Sequence, residues 1–285
     1  MSAIQKIINP VSAEETDMTA EFINGLAYPD FVGFINQWNV LPGSHVTLSK
    51  WINFADITSD SRLMQFACTT GFQSREIAMR TGCTAKAFDL SPYAIWAANY
   101  NVKNYAPSAK VEYFCADGHT YDSDEKFTHV AIGAGLKFFK DPQHTLKRCI
   151  SFLEDGGYFL ASPFYLSEEL PDELVKKAQT VFGITPTTEG YKEIMSMYQD
   201  LEILYEDRND LIPETEEELK NYCEATIKRA CDIHGISNEE LYETMYNRLY
   251  RVKEMSNLLR PYQRYSTLVL RYRECVYPNR YVELF

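Results

Sequence analysis

The segment Leu63 to Asp89, LMQFACTTGFQSREIAMRTGCTAKAFD, constrains the chain more than any other. An apolar run (Leu63, Met64, Phe66) ends in Ala67, Cys68, Thr69, Thr70 and Gly71, small residues that let a backbone turn sharply and approach a ligand. From Phe72 the apolar residues Ile77, Ala78 and Met79 alternate with Gln73, Ser74, Arg75, Glu76 and Arg80, which predicts an amphipathic helix stopped by Gly82. Thr84 to Asp89 then reads as a short strand ending in a carboxylate, 18 residues after Gly71. The segment is therefore strand, tight turn, helix, strand.

This is the layout of a nucleotide-binding βαβ half, with a small-residue turn under the ligand, a helix N-terminus beside it, and an acid at the next strand end for ribose hydroxyls. Taken alone it also fits an ordinary βαβ crossover. The segment resembles motif I and the following acidic motif of class I S-adenosylmethionine (SAM) methyltransferases. That family's acid and three alternate glycines fall here on Gln65, Ala67, Thr69 and Gly71, so one glycine of the pattern remains and the acid is an amide. The resemblance implies cofactor contacts from these four residues and from Asp89 and Leu90. Whatever the missing carboxylate did near the amino-acid end of SAM must pass to another group.

Two later correspondences follow in order, making three in all. Lys110 to Gly118 reads as an alternating strand closed by Asp117-Gly118, and the resemblance gives Asp117 the adenine amino group as partner. Phe127 to Gly133 is a buried strand and Ala134 to Pro142 a loop. Gln143 to Leu153 is a helix, closed by Gly156-Gly157 before a fifth strand, Tyr158 to Pro163. Ser91-Pro92 starts a helix between the second and third strands. The resemblance covers about Arg62 to Tyr165 and implies a doubly wound, mostly parallel, seven-stranded Rossmann-like α/β sheet. Beyond it, Leu201 to Glu206 and Tyr265 to Tyr272 read as the last two strands. The helices at 167–197 and 207–260 have no place in a minimal sheet and are expected to cap the strand ends. The expected division is a helical lid (1–50), a SAM-binding core (51–166), a helical cap (167–200), and the final strands with a helical insertion (201–285).

The balance of 28 basic against 40 acidic residues, a formal −12 without a Lys/Arg cluster, argues against binding a phosphate backbone. Neither a basic start followed by an apolar core nor an apolar run long enough for a bilayer is present, so a cytoplasmic protein without a membrane partner is expected. Seven cysteines without a Cys-x-x-Cys pair predict buried free thiols, with no zinc or other metal. The expected partner is a small molecule in a closed pocket; oligomeric state is left open.

Transfer from a sulfonium needs alignment and desolvation more than covalent help, and a base only where the acceptor arrives protonated. Candidates are His119, either a loop surface residue or a base, His129, more often a structural histidine, and Lys137, for a substrate carboxylate. Phe138, Phe164 and Tyr165 follow strand ends and could wall the sulfonium or pack the core. In the N-terminal aromatic series, Tyr28 and Trp38 are candidates for a cation–π lid. Three readings compete: a small-molecule methyltransferase, a SAM cyclase of the same fold that releases methylthioadenosine and forms azetidine-2-carboxylate, and a SAM-binding protein without catalysis.

Overall fold

The computed structural model describes residues 18–278; the first 17 residues of the expected lid and the last seven of the chain lie outside them. The strands are β1 (Arg62–Gln65), β2 (Thr84–Asp89), β3 (Lys110–Cys115), β4 (Phe127–Gly133), β5 (Leu153–Ala161), β6 (Phe164–Leu166), β7 (Glu202–Asp210) and β8 (Gln263–Arg271). Their order in the sheet is β3-β2-β1-β4-β5-β8, with β7 on the far side of β8. The first five run parallel and β8 lies antiparallel to β5 and β7. The sheet is Rossmann-like and doubly wound, as the resemblance implies.

One strand more is present than the seven expected, and its register explains it. β5 pairs with Leu268 to Arg271, while β6 pairs with Gln263 to Tyr265 on the same edge of β8. β6 is therefore the continuation of β5, interrupted at Ser162-Pro163, where proline has no N–H for the ladder. A second difference is that β5 starts at Leu153, ahead of the Gly-Gly. Register slips between Phe127 and His129 of β4, and Gly156 (φ 79°) absorbs the slip as a bulge within the strand.

Helices cover both faces: α1 (Ala20–Gly25), α2 (Tyr28–Phe34), α3 (Ser44–Phe54), α4 (Phe72–Thr81), α5 (Pro92–Tyr105), α6 (Pro142–Ser151), α7 (Asp172–Phe182), α8 (Tyr191–Ser196), α9 (Glu216–His234) and α10 (Glu239–Leu259). Side chains alternate across the strands with period two. Leu63, Leu160 and Val269 join Trp51 and Ile77 on the face under α3 and α4. Met64, Phe159, Leu268 and Leu270 join Phe152, Ile194 and Tyr198 on the face under α6 and α8. Caps mark the helix starts: Ser91 accepts from Ala94 N and Asp141 from His144 N, and Thr215 with Glu218 forms a capping box on α9.

The helices outside the minimal sheet pack mainly on each other. Ile23, Phe31 and Phe34 share a core with Ile227 of α9 and Leu249 of α10, and Ala178 of α7 packs with Met255 and Leu259 of α10. α2 also lies directly on α5. A Cβ on Gly33 would fall inside the van der Waals envelope of the Tyr93 and Ala94 backbone. Beside it, Asn36 and Asn101 exchange two amide hydrogen bonds of 2.8 Å, both fully buried. Cys68, Cys83, Cys149, Cys223 and Cys231 are buried free thiols, while Cys115 and Cys275 are exposed. Among the described residues no helix is long and apolar enough to cross a membrane.

Candidate cofactor and substrate site

The turn after β1 is stitched to its neighbours: Phe66 N donates to Ala131 O (2.9 Å) and Cys68 N to Phe88 O (2.9 Å). To follow that path the backbone takes left-handed φ at three alternate residues, Ala67 (49°), Thr69 (51°) and Gly71 (78°). These are the three glycine positions of the pattern. The conformation survives although only Gly71 suits it, which places strain in the turn. Gly71 also has no room for a side chain, because a Cβ would lie 2.6 Å from the Tyr113 hydroxyl, and that hydroxyl donates to Gly71 O at 2.8 Å.

Asp89 stands across from the turn. Its Oδ2 accepts from Thr69 N and its Oδ1 from Ser91 N, both at 2.9 Å. Burial pushes its pKa up, against the lowering effect of these hydrogen bonds. Leu90 follows with its side chain in solvent, 72% exposed. Gln65 is fully buried on the α4 side, where its Oε1 accepts from Ser74 N at 3.0 Å and its Nε2 has no partner. At the end of β4, Gly133 takes φ 58°, with Gln73 Nε2 2.6 Å from where a Cβ would be, and its carbonyl accepts from Ser162 N at 2.7 Å. Gln65, Ala67, Thr69, Gly71, Asp89, Leu90 and Gly133 thus converge at the C-terminal edge of the sheet, where doubly wound folds bind ligands.

Asp117 and Gly118 border this edge at the end of β3. Asp117 is exposed, and its Oδ1 accepts from His119 N at 2.8 Å, closing its own loop. Gly118 is buried, and a Cβ there would lie 2.8 Å from the Phe139 ring.

The three catalytic candidates do not meet. His119 Nδ1 lies 3.4 Å from Thr145 Oγ1, with its ring edge-on to His144. Lys137, in a 3-10 turn after β4 (Gly135–Phe138), forms an ion pair with Glu189, which draws the Glu189 carboxyl below its ordinary range against burial. Tyr165 is 3% exposed in the core and packs edge-on against Tyr191, so it is a packing residue rather than an open wall. Phe164 sits in β6 opposite Tyr265, and Phe138 is 47% exposed. His129 is a buried structural histidine: Nε2 pairs with Ala55 O at 2.7 Å.

On the N-terminal side, the buried Arg75 guanidinium takes one face of Trp38, 4.3 Å from its ring centroid. Tyr28 packs edge-on against Phe182 of α7, and burial plus the neighbouring Tyr222 raise its phenol to about 12. Three residues that the sequence did not single out join them. Asp30 Oδ1 accepts from Ser91 Oγ at 2.6 Å, Gln37 O accepts from Thr70 Oγ1 at 2.6 Å, and the Gln37 amide donates to the Tyr222 hydroxyl. No spacing connects these residues, which meet through the docking of α2 on α5 and of the segment after α2 on α9. A separate cleft of about 350 Å³ lies at the opposite end of the sheet, where Lys86 pairs with Glu125 at 2.6 Å. Among the described residues no group of three or more His, Cys, Asp or Glu is placed to hold a metal ion.

Residues 64–161 match the family described as methyltransferase domain. No curated protein matches the chain. Among solved structures, the MccD protein is 24% identical, with a TM-score of 0.67, over 82% of this chain and 100% of that one. A SAM-dependent methyltransferase from Thiobacillus denitrificans, in complex with S-adenosyl-L-homocysteine, is 17% identical with a TM-score of 0.57, over 96% and 99%. The [4+2]-cyclase SpnF is 14% identical with a TM-score of 0.57, over 79% of each chain. The resemblance to class I SAM-dependent methyltransferases holds across the core of this chain.

Proposed function

We propose that this chain is a SAM-dependent transferase acting on a small molecule, most simply by in-line methyl transfer. One observation carries the reading: the left-handed turn at Ala67, Thr69 and Gly71 faces the Asp89 carboxylate, which holds that turn by a backbone N–H. The residues fit a nucleoside. An ionised carboxylate has about four lone-pair sites, so after Thr69 N and Ser91 N each oxygen of Asp89 keeps capacity for a ribose hydroxyl. The exposed Leu90 supplies an apolar surface for a base, and Asp117 with Gly118 borders it.

SAM supplies a methyl group on a sulfonium, a leaving group that needs no acid. The chain then has to orient, exclude water and, for a protonated acceptor, take up a proton. In this reading Tyr28, with Phe182 and Tyr222, walls the acceptor side, Phe138 and Phe164 line it, and His119 and Lys137 are the candidate base and carboxylate holder. The acceptor is a small metabolite, and the division into lid, core, cap and insertion belongs to the same proposal, as does a cytoplasmic location without a metal.

A second reading is favoured by Gln65, a neutral amide in the place of an acid. In a SAM cyclase the substrate's α-amine attacks its own Cγ, the Cγ–S bond breaks, methylthioadenosine leaves with the electron pair, and the amine loses its proton to solvent or a base. The test is to incubate the purified protein with SAM alone and follow products by mass spectrometry. Intact SAM, then S-adenosylhomocysteine in a screen of small-metabolite acceptors, supports methyl transfer. Methylthioadenosine above the protein-free control overturns it in favour of the cyclase, and failure to bind SAM overturns both.

A further inference from the structure

Among the buried side-chain polar atoms without a hydrogen-bond partner in the described residues, three lie around the end of β4: Gln65 Nε2, Gln73 Oε1 and Ser162 Oγ. Their side chains are 0%, 6% and 0% exposed. Such groups cost roughly 1–3 kcal/mol each when left unsatisfied, so a cluster of three points to a ligand. They belong to one place. Gln65 ends β1, whose residues register on Leu63↔His129 to Gln65↔Ala131 of β4. Gln73 lies against Gly133 at the end of β4, and Ser162 N is bonded to Gly133 O at 2.7 Å. Together they offer a donor, an acceptor and a hydroxyl, with no charge among them.

From these juxtaposed atoms we infer that Gln65, Gln73 and Ser162 form a charge-neutral subsite for an α-amino-acid group, one that holds the amine without requiring its ammonium form. The inference rests on the SAM reading above. Asp89 ends β2 and Gly133 ends β4, with β1 between them. Two strand spacings span about 10 Å, close to the reach from a ribose to an amino-acid terminus along one thioether chain. The amine meets the Gln73 carbonyl oxygen, which accepts from –NH₂ as well as from –NH₃⁺. The carboxylate meets the Gln65 amide and the Ser162 hydroxyl. A carboxylate side chain at position 65 would repel the ligand carboxylate and draw the ammonium toward itself, so that binding would depend on the charged amine.

The charged and titratable groups around the subsite have other partners. From β2, Asp89 takes Thr69 N and Ser91 N, and from β3 the Tyr113 hydroxyl lies on Gly71 O and Ser74 Oγ. On α4, Arg75 donates through Nη1 to Thr70 O, lies over the Trp38 ring and sits 3.5 Å through Nε from Glu76, which also faces His45 of α3 and Arg80; the Arg75 Nη2 has no hydrogen-bond partner among the described residues. His129 of β4 pairs with Ala55 O, Lys137 beyond β4 with Glu189, and Cys68 in the turn is a buried thiol held protonated.

The experiment is calorimetric binding of S-adenosylhomocysteine and of 5′-methylthioadenosine, which lacks the amino-acid end, at about pH 7 and about pH 10. The ratio of the two affinities cancels whatever pH does to the nucleoside site or to the fold. In the wild type the ratio stays within about twofold across that range, and in Gln65→Glu it falls at least tenfold as the ammonium is lost. Gln73→Leu and Ser162→Ala each reduce the ratio while leaving methylthioadenosine binding unchanged, and these serve should Gln65→Glu fail to fold. A wild-type ratio that falls tenfold, or variants that shift both ligands equally, would overturn the subsite. A wild type that binds neither ligand would overturn the SAM reading itself.

Discussion

The Asp89 carboxylate accepts from Thr69 N at 2.9 Å, so the acid at the end of β2 also braces the turn at the end of β1. One side chain therefore joins ligand recognition to local fold. Asp89→Ala leaves Thr69 N and Ser91 N without acceptors and is expected to cost about 1–3 kcal/mol. It should also weaken S-adenosylhomocysteine binding at least tenfold. Asp89→Asn presents an amide N–H toward one of the two donors and is expected to restore only part of either loss. Thermal melts and calorimetry on the three proteins measure both effects; unchanged affinity in Asp89→Ala would move the nucleoside away from β2.

Ala67 and Thr69 hold φ of 49° and 51°, where a side chain costs about 1–2 kcal/mol in the left-handed region. Glycine relieves that strain but loses about 0.5–1 kcal/mol of chain entropy relative to alanine. Ala67→Gly and Thr69→Gly should therefore each stabilise the protein by about 0.5–1 kcal/mol, with Thr69→Gly the larger because threonine is β-branched. Denaturant titration checks this. Destabilisation in both would mean that the two side chains contribute packing worth more than the strain.

How far the sequence reveals this molecule follows from the range over which each signal acts. The first βαβ unit is legible because its punctuation is local: Gly82 caps α4 with φ 77°, Ser91 and Pro92 start α5, and Asp89 ends a strand. The interruption at Pro163 is equally local, yet it was hidden because only pairing with β8 shows that β5 and β6 occupy one lane. Tyr165 and Trp38 could not be placed for the same reason. One is enclosed by Tyr191 and the other by Arg75, contacts made across 26 and 37 residues of chain. The meeting of Asp30 with Ser91 depends wholly on the docking of α2 on α5, which no periodicity encodes.

That docking depends on Gly33. A methyl group there would meet the Tyr93 carbonyl carbon at 2.6 Å and crowd Ala94 more closely still, so backbone rather than a flexible side chain must move. Gly33→Ala is expected to destabilise by about 1–3 kcal/mol, as overpacking does, and to loosen the Asn36 and Asn101 pair. Gly25→Ala, near the end of α1, is the control. No atom lies within 4 Å of its would-be Cβ, and it should be neutral or gain up to about 1 kcal/mol of helix propensity. Equal midpoints for the two variants would show that α2 can slide on α5 without penalty.

Two buried histidines give the fold an acid sensitivity. Burial lowers the pKa of His129 and of His234 below 6.5, although each ring donates Nε2–H to a carbonyl, Ala55 O and Phe34 O respectively, at 2.7 Å. His234 is stacked on Phe34 and on Trp96 at 4.5 and 5.0 Å, and its Nδ1 has no partner, so protonation would add a buried N–H with nowhere to donate. The sign follows from linkage. Above pH 6.5 both rings are neutral folded or unfolded, and their contribution is complete; as pH falls through 6.5 the unfolded chain takes up protons that the native state refuses, and stability is lost. Each ring contributes a slope of up to about 1.4 kcal/mol per pH unit. Urea midpoints at about pH 7.5, 6.5 and 5.5 should therefore fall less steeply in His129→Gln and in His234→Gln than in the wild type, by up to one proton each. The carboxylates titrate alike in all three proteins and drop out of the comparison, so parallel pH profiles would mean that both rings already accept a proton in the folded state.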